Sequence, residues 1–175
     1  MIGNGRRSEA PGLAVLRRPQ PSDEQGYVRV FLRPEVNAWL RPAPFPPVTA
    51  AEAAAMLGED LRQWRELGFG PWAVIEDEGG AFVGRAGLRE TTIAGERAIE
   101  LAWAIDPDFH GRGLATEAAL AAIELAREAG LAEVVALALP ANAASRRVAE
   151  KAGMGAEGEI EHAGLPHVLY RLRLA

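Results

Sequence analysis

Between residues 97 and 138 the apolar pattern changes period twice. RAIELAWAID alternates, placing Ile99, Leu101, Trp103 and Ile105 on one face and Glu100, Ala102 and Ala104 on the other, which is the two-residue period of a strand. GLATEAALAAIELAREAG follows with a helical period. Glu117, Glu124 and Glu128 line one face, Ala, Leu and Ile fill the others, and Gly130 suits the C-terminal cap. AEVVALAL then reads as a buried strand. Strand, helix and strand in that order form a β-α-β unit, two parallel strands joined by a crossover helix, so the expected class is α/β.

The flanking segments add to that unit. LAVLRR, residues 13 to 18, reads as a first strand, with Ser22 or Asp23 offered as a helix cap after it. RPEVNAWLRP reads as a second short helix. In RPAPFPPV four prolines remove donors and fix φ, which bars regular structure until Thr49 caps an alanine-rich helix ending near Gly68. PWAVIE, a DEGG turn and AFVGRAGLRE read as a hairpin. After Pro140, NAASRRVAEKAG is a short helix ended by Gly153, and the tail from Glu157 has room for two strands around AGLP. The expectation is a flexible N-terminal tail over residues 1–12 and a single domain over 13–175, with a central mixed sheet and helices on both faces.

Composition narrows the partners. Nineteen Lys and Arg against 24 Asp and Glu give a formal charge of −5, which opposes the phosphate attraction nucleic-acid binders rely on; no basic cluster offsets it, and an amine partner is slightly favoured. No uninterrupted apolar stretch approaches the roughly 20 residues that cross a bilayer, so no membrane partner is expected. The chain has no cysteine, which removes disulfides, thiolate metal sites and a cysteine nucleophile and is compatible with a cytoplasmic location. His162 and His167 lack a companion ligand set, so no metal is expected.

DFHGRGLATEA, residues 108 to 118, places two glycines around an arginine at a helix entrance. The first amides of a helix have no intrahelical acceptor, and the peptide dipoles leave partial positive charge there, so phosphate oxygens can be held by backbone alone. In His110 to Thr116 the glycines also permit a nest of successive amides aimed at one anion. A tight strand-to-helix connection uses the same glycines, and the motif by itself leaves both readings open. There is no GK[ST], so a P-loop is excluded, and Thr116 stands where a dinucleotide fingerprint has its third glycine.

Taken together, IELAWAIDPDFHGRGLATEA and ALPANAASRRVAEKAGM closely resemble the GNAT N-acetyltransferase superfamily, in its branch that acetylates ribosomal-protein alanine N-termini (the RimJ/RimL type). The likeness extends from RPEVNAWL through GPWAVIEDEGGAFVGRAGL to the C-terminus. It implies the GNAT fold: a mixed, mostly antiparallel sheet flanked by helices, with acetyl-CoA in the splay between two central parallel strands. The family's phosphate loop maps onto His110, Gly113 and Ala115. The resemblance therefore implies the pyrophosphate on the backbone of His110, Gly111, Arg112, Gly113, Leu114, Ala115 and Thr116, and the pantetheine arm against Trp103, Ala104 and Ile105. His110 departs from the family's usual Gln or Arg, and Ala149 stands where many members carry a tyrosine acid.

Glu100 resembles the strand glutamate that serves as base in this family; its plainer reading is a solvated or amine-pairing carboxylate. Asn142 is a helix cap, a contact to acetyl-CoA, or both, since its side chain has separate donor and acceptor ends. Ser145 resembles the serine suggested to protonate the leaving thiolate in the ribosomal branch; the alternatives are a thiolate that leaves unassisted or takes its proton from water, and a plain solvent-facing residue. Trp72 and Trp103 serve the core, with Trp103 also able to wall the acetyl pocket. Arg146 and Arg147 read as a solvated helix face within reach of a phosphate. The expected activity is acetyl transfer to a primary amine, a protein N-terminus first and a polyamine or aminoglycoside second, in a ternary complex without a covalent intermediate. The alternative is a non-catalytic acyl-CoA sensor or scaffold. The family often pairs through its C-terminal strands, so a homodimer is a further expectation.

Overall fold

The computed structural model describes residues 5–7, 14–77 and 79–174. In chain order its elements are β1 (Gly5–Arg7), β2 (Ala14–Arg17), α1 (Glu24–Phe31), α2 (Pro34–Leu40), α3 (Ala50–Leu67), β3 (Pro71–Glu76), β4 (Phe82–Ile93), β5 (Glu96–Ile105), α4 (Leu114–Glu128), β6 (Glu133–Ala138), α5 (Ala143–Lys151), β7 (Gly155–His162) and β8 (Leu165–Arg173). All eight strands join one sheet in the order β1-β2-β3-β4-β5-β6-β8-β7. Every neighbouring pair is antiparallel except β5 and β6, which the crossover through α4 makes parallel. Within the stretch expected as a tail, Gly5–Arg7 pairs with β2; residues 1–4 and 8–12 lie outside the described residues.

Alternation along the strands divides the core between the two faces. Val74, Val83, Leu88, Leu101 and Ile105 pack with Ala118, Ala122 and Ile123 of α4 and Ala149 of α5. Ala73, Ile75 and Phe82 pack on the opposite face with Tyr27, Val30 and Phe31 of α1 and Leu57 of α3. Each fully buried Val, Leu, Ile or Phe among them contributes about 1.5–3 kcal/mol relative to exposure. The alanines of α4 let its backbone lie close to the sheet.

Local signals set the helix ends. Thr49 and Glu52 form a capping box at the start of α3, each side chain accepting from the other's backbone N–H. The start of α1 differs from expectation. A 3-10 turn, Pro21–Asp23, precedes it, and the Asp23 carboxylate leaves the helix amides to accept from Gln20 N at 2.7 Å and Arg17 at 2.6 and 2.8 Å. An arginine offers a charge-assisted pair that a helix amide cannot match.

Between α1, α3 and β4 the apolar layer holds a polar trio. The Arg85 guanidinium donates to both Asp60 oxygens, and Tyr27 Oη donates to Asp60 Oδ2 at 2.7 Å, all three side chains being buried. Burial opposes the Arg85 charge, but the adjoining Asp60 carboxylate outweighs it and raises the guanidinium pKa. Burial, reinforced by the same carboxylate, raises the Tyr27 phenol well above its ordinary value. Removing one partner leaves an uncompensated buried charge. Asp60→Ala is therefore expected to cost about 3–5 kcal/mol of unfolding free energy in urea titration; a loss below about 1 kcal/mol would contradict this role.

Candidate active site

β5 and β6 share one bridge, Glu100 opposite Val135, while β4 pairs with β5 continuously from Gly84–Ile105 to Ile93–Glu96. β6 is held on its other side by β8, from Glu133–Arg173 to Ala138–Val168. Each strand is thus anchored on its outer flank, and the two separate toward their C-terminal ends. Beyond Glu100 the inner edge of β5 has no strand opposite among the described residues, so its ladder groups face a gap.

The chain leaves β5 through Asp106 and the 3-10 turn Pro107–Phe109. Asp106 is fully buried. Its Oδ1 accepts from Asp108 N, its Oδ2 accepts from Arg29 of α1 at 2.9 Å, and Arg33, at the cap of α2, stands 3.7 Å away. His110 Nε2 lies 2.9 Å from the Ile105 carbonyl, so the ring donates back to the strand end. His110 therefore pins the loop with its side chain, and its amide is taken by the Pro107 carbonyl at 3.1 Å, so of the residues expected to hold a diphosphate by backbone His110 has no free N–H to give.

Gly111 (φ +78°) and Gly113 (φ +84°) are both left-handed, a conformation other residues adopt only under strain. A β-carbon on either would meet nothing within 4 Å, so space lies open before them. Gly113 is the N-cap of α4 and no side chain caps the helix; the first intrahelical bond is Glu117 N to Gly113 O. The amides of Gly111, Arg112, Gly113, Leu114, Ala115 and Thr116 have no acceptor among the described residues. Arg112 lies over the Phe109 ring, 4.7 Å from its centroid, and 3.6 Å from Glu76, at the edge of this array.

Across the gap, Asn142 caps α5, its Oδ1 accepting from Ser145 N at 3.1 Å, and its Nδ2 is left unused among the described residues. Trp103 Nε1 donates to Ser145 Oγ at 3.3 Å, bridging β5 to α5. Trp103 is half-buried, whereas Trp72 belongs fully to the core. Ala149 is buried in α5, and the nearby phenol, Tyr170, is buried between Arg146 and Glu150. Arg146, expected on a solvated face, turns inward to Tyr170 Oη at 3.1 Å and the Pro140 carbonyl at 3.2 Å; Arg147 is exposed.

On the face toward α3, Glu100 is 7% exposed and its Oε2 accepts from Arg89 Nε at 2.7 Å. It is neither solvated nor free of a protein partner. Arg89, its cross-strand neighbour, was not legible as a site residue because pairing depends on register. It also lines a cleft of about 370 Å³ between α3 and β4, together with Arg41, Glu52, Glu59, Asp60 and Arg85. Among the described residues no group of three or more His, Asp or Glu is placed to hold a metal, and no helix is long and apolar enough to cross a membrane.

The unpaired amides at the mouth of α4 are donors of a kind an anion uses, and the unpaired edge of β5 is of a kind an amide-bearing chain uses. The family model for the GNAT acetyltransferase domain matches residues 14–155. An uncharacterized N-acetyltransferase of Bacillus subtilis, YnaD, is 38% identical over 65 residues, covering 37% of this chain and 38% of that relative's length. Among solved structures, the ribosomal-protein-S5-alanine acetyltransferase of Vibrio fischeri superposes with TM-score 0.75 at 19% identity, covering 97% of this chain and 96% of that one. YncA of Salmonella typhimurium, solved with its cofactor acetyl-CoA, gives TM-score 0.70 at 20% identity, covering 93% and 95%.

Ala in place of Gly113 is expected to lower stability by about 1–2 kcal/mol, because the left-handed conformation strains a β-carbon even where no neighbour clashes. Gly58→Ala, inside α3 and equally free of neighbours, is expected to raise stability by about 0.5–1 kcal/mol. Thermal unfolding of both variants checks the contrast; equal shifts would refute it.

Proposed function

The chain belongs to the GNAT acetyltransferase family, and we propose that it transfers the acetyl group of acetyl-CoA to a primary amine by direct attack in a ternary complex. The reading is carried by six free amides at the mouth of α4 that adjoin an unpaired β5 edge. The residues present fit such a cosubstrate. Amides of Gly111 to Thr116 hold the diphosphate, aided by the helix dipole, and the array needs no side-chain charge. The edge from Trp103 to Ile105, whose Ile105 carbonyl already accepts from His110, offers its remaining backbone donors and acceptors to the pantetheine amides, as a neighbouring strand would. Asn142 Nδ2 adds a donor from the other wall. Acetyl-CoA supplies an acyl carbon already activated as a thioester.

Around that carbon each side chain has a stated task. A backbone N–H of the Trp103 strand meets the developing oxyanion, a donor of a kind typically worth about 2.7–4 kcal/mol. Ser145 accepts from Trp103, which leaves its own O–H proton directed elsewhere and available to the departing sulfur. Glu100, fixed by Arg89, places negative charge beside the entering ammonium. A protein α-amino group is the first acceptor in this reading, supported by the fold's likeness to a ribosomal-protein alanine acetyltransferase and by Trp39, Leu40 and Phe45, exposed apolar side chains on and after α2 that suit a peptide.

Thiol release from acetyl-CoA, followed with a panel of N-terminal peptides, polyamines and aminoglycosides, tests the proposal. Turnover is expected with at least one amine, and Glu100→Gln is expected to lower kcat/KM by at least tenfold while leaving acetyl-CoA affinity within twofold, about 1.4 kcal/mol of transition-state interaction. Binding without release across the panel, indifferent to Glu100→Gln, would instead identify a non-catalytic acyl-CoA sensor.

A further inference from the structure

We propose that His162, at the tip of the β7–β8 hairpin, is the proton acceptor for the incoming amine, with Glu100 across the gap as its counter-charge. The inference rests on the acetyl-transfer reading of the same site and adds to it a residue on the C-terminal hairpin.

Strand register places the histidines. β8 lines the far side of β6, with Val168 opposite Ala138 and Leu169 opposite Leu137. Val168 and Tyr170 point into the cluster under α4 and α5, so His167 and Leu169, one residue out of phase, face the other side. Leu101 and Ile105 point into that same cluster, so Glu100 shares the face of His167. On β7, Ile160 is opposite His167 and His162 opposite Leu165, which puts His162 on this face too. The two imidazoles meet edge to face, centroids 5.7 Å apart at 86°. His167 lies one residue beyond the end of the β6–β8 ladder at Ala138–Val168, and His162, opposite Leu165, lies further out at the hairpin tip.

His167 is fixed by its Nδ1, 3.1 Å from the Leu165 carbonyl, to which it donates. Among the described residues no hydrogen bond uses either nitrogen of His162, which leaves a ring nitrogen for a substrate. The proline-rich segment after α2 reaches this tip: a β-carbon on Gly164 would lie 3.4 Å from Phe45 Cζ. The exposed apolar segment and the histidine pair thus border one opening.

Charge supports the role. Burial pushes the His162 pKa below its ordinary 6.5, and Arg89 on β4 and His167 on β8 act in the same sense, against the Glu100 carboxylate on β5, which favours the imidazolium. Glu159 and Glu161 fall on the opposite face by alternation. The ring is therefore neutral near pH 7 and able to take a proton, while Glu100 stabilises the cation that results. Glu100 has one oxygen committed to Arg89, which suits it to the electrostatic part.

The bound ammonium gives one proton to His162, and the freed lone pair forms the N–C bond. The C–S bond breaks with its electron pair on sulfur, the second amine proton ends on the thiol, and His162 returns its proton to water.

The test uses the full chain, acetyl-CoA and the best amine of the panel. His162→Gln is expected to lower kcat/KM about 100-fold and to abolish the fall in kcat/KM that wild type shows as pH drops through the His162 pKa, below 6.5. Added imidazole is expected to restore at least tenfold to His162→Ala, a gain that a packing defect would not show. Affinity for coenzyme A and Tm are expected to stay at wild-type values in both. A wild type that turns over, with His162→Gln within twofold of it and the same acid limb, overturns this assignment alone, as does a loss that imidazole leaves unchanged. A wild type that binds acetyl-CoA but releases no thiol with any amine overturns the acetyl-transfer reading and this one with it.

Discussion

β5 and β6 meet at Glu100 and Val135 and then part, and the site depends on that single bridge. The separation is not fraying, because each strand is bound along its outer flank, β5 by β4 and β6 by β8. Two rigid walls enclose a slot whose edges carry backbone groups without strand partners. A buried amide or carbonyl left unpaired costs about 1–3 kcal/mol, so such a slot has a standing preference for water or for a ligand that supplies amides of its own. The crossover helix then delivers its free N-terminal amides to the mouth of the same slot. One topological fact, a parallel pair inside an otherwise antiparallel sheet, produces both the slot and the free amides at its mouth, the proposed channel for the arm and seat for the anion.

Asp106 joins this seat to the opposite face of the sheet. It is fully buried where β5 becomes the loop, and it is held by Arg29 from α1 and approached by Arg33 from the cap of α2. Those helices lie on the side where Glu100 and the histidine pair face. The loop with the free amides is thus braced by helices of the opposite face of the sheet, which hold its conformation. His110, reaching back to the Ile105 carbonyl, adds a second brace. Preorganised donors of this kind need little rearrangement during the reaction.

The β5–α4–β6 unit was legible because period alone distinguishes a half-buried strand, an amphipathic helix and a buried strand. The cap at Thr49, the irregular RPAPFPPV segment and the glycine-marked mouth of α4 were legible for equally local reasons. What escaped was every contact that depends on register between distant strands or on which helix crosses which face. Asp60 with Arg85, Glu100 with Arg89, Trp103 with Ser145 and His162 with His167 are such pairs, separated by 25, 11, 42 and 5 residues along the chain. Even the last, close in sequence, depended on the register of β7 against β8, which two strands around AGLP do not by themselves fix. Asp23 was read as a cap from its position, yet its carboxylate serves Arg17, since an ion pair outweighs a helix amide. Arg146, placed on a solvated face by helical period, is drawn inward by Tyr170, a partner that only the fold supplies.

The proposed chemistry depends on where coenzyme A sits. A crystal structure of the chain grown with the coenzyme tests it most directly. The account requires the diphosphate oxygens within hydrogen-bond distance of amides between Gly111 and Thr116, and the pantetheine arm in the slot between Trp103–Ile105 and β6. A well-ordered coenzyme bound elsewhere, with those amides facing solvent and the slot closed by side chains, would contradict it.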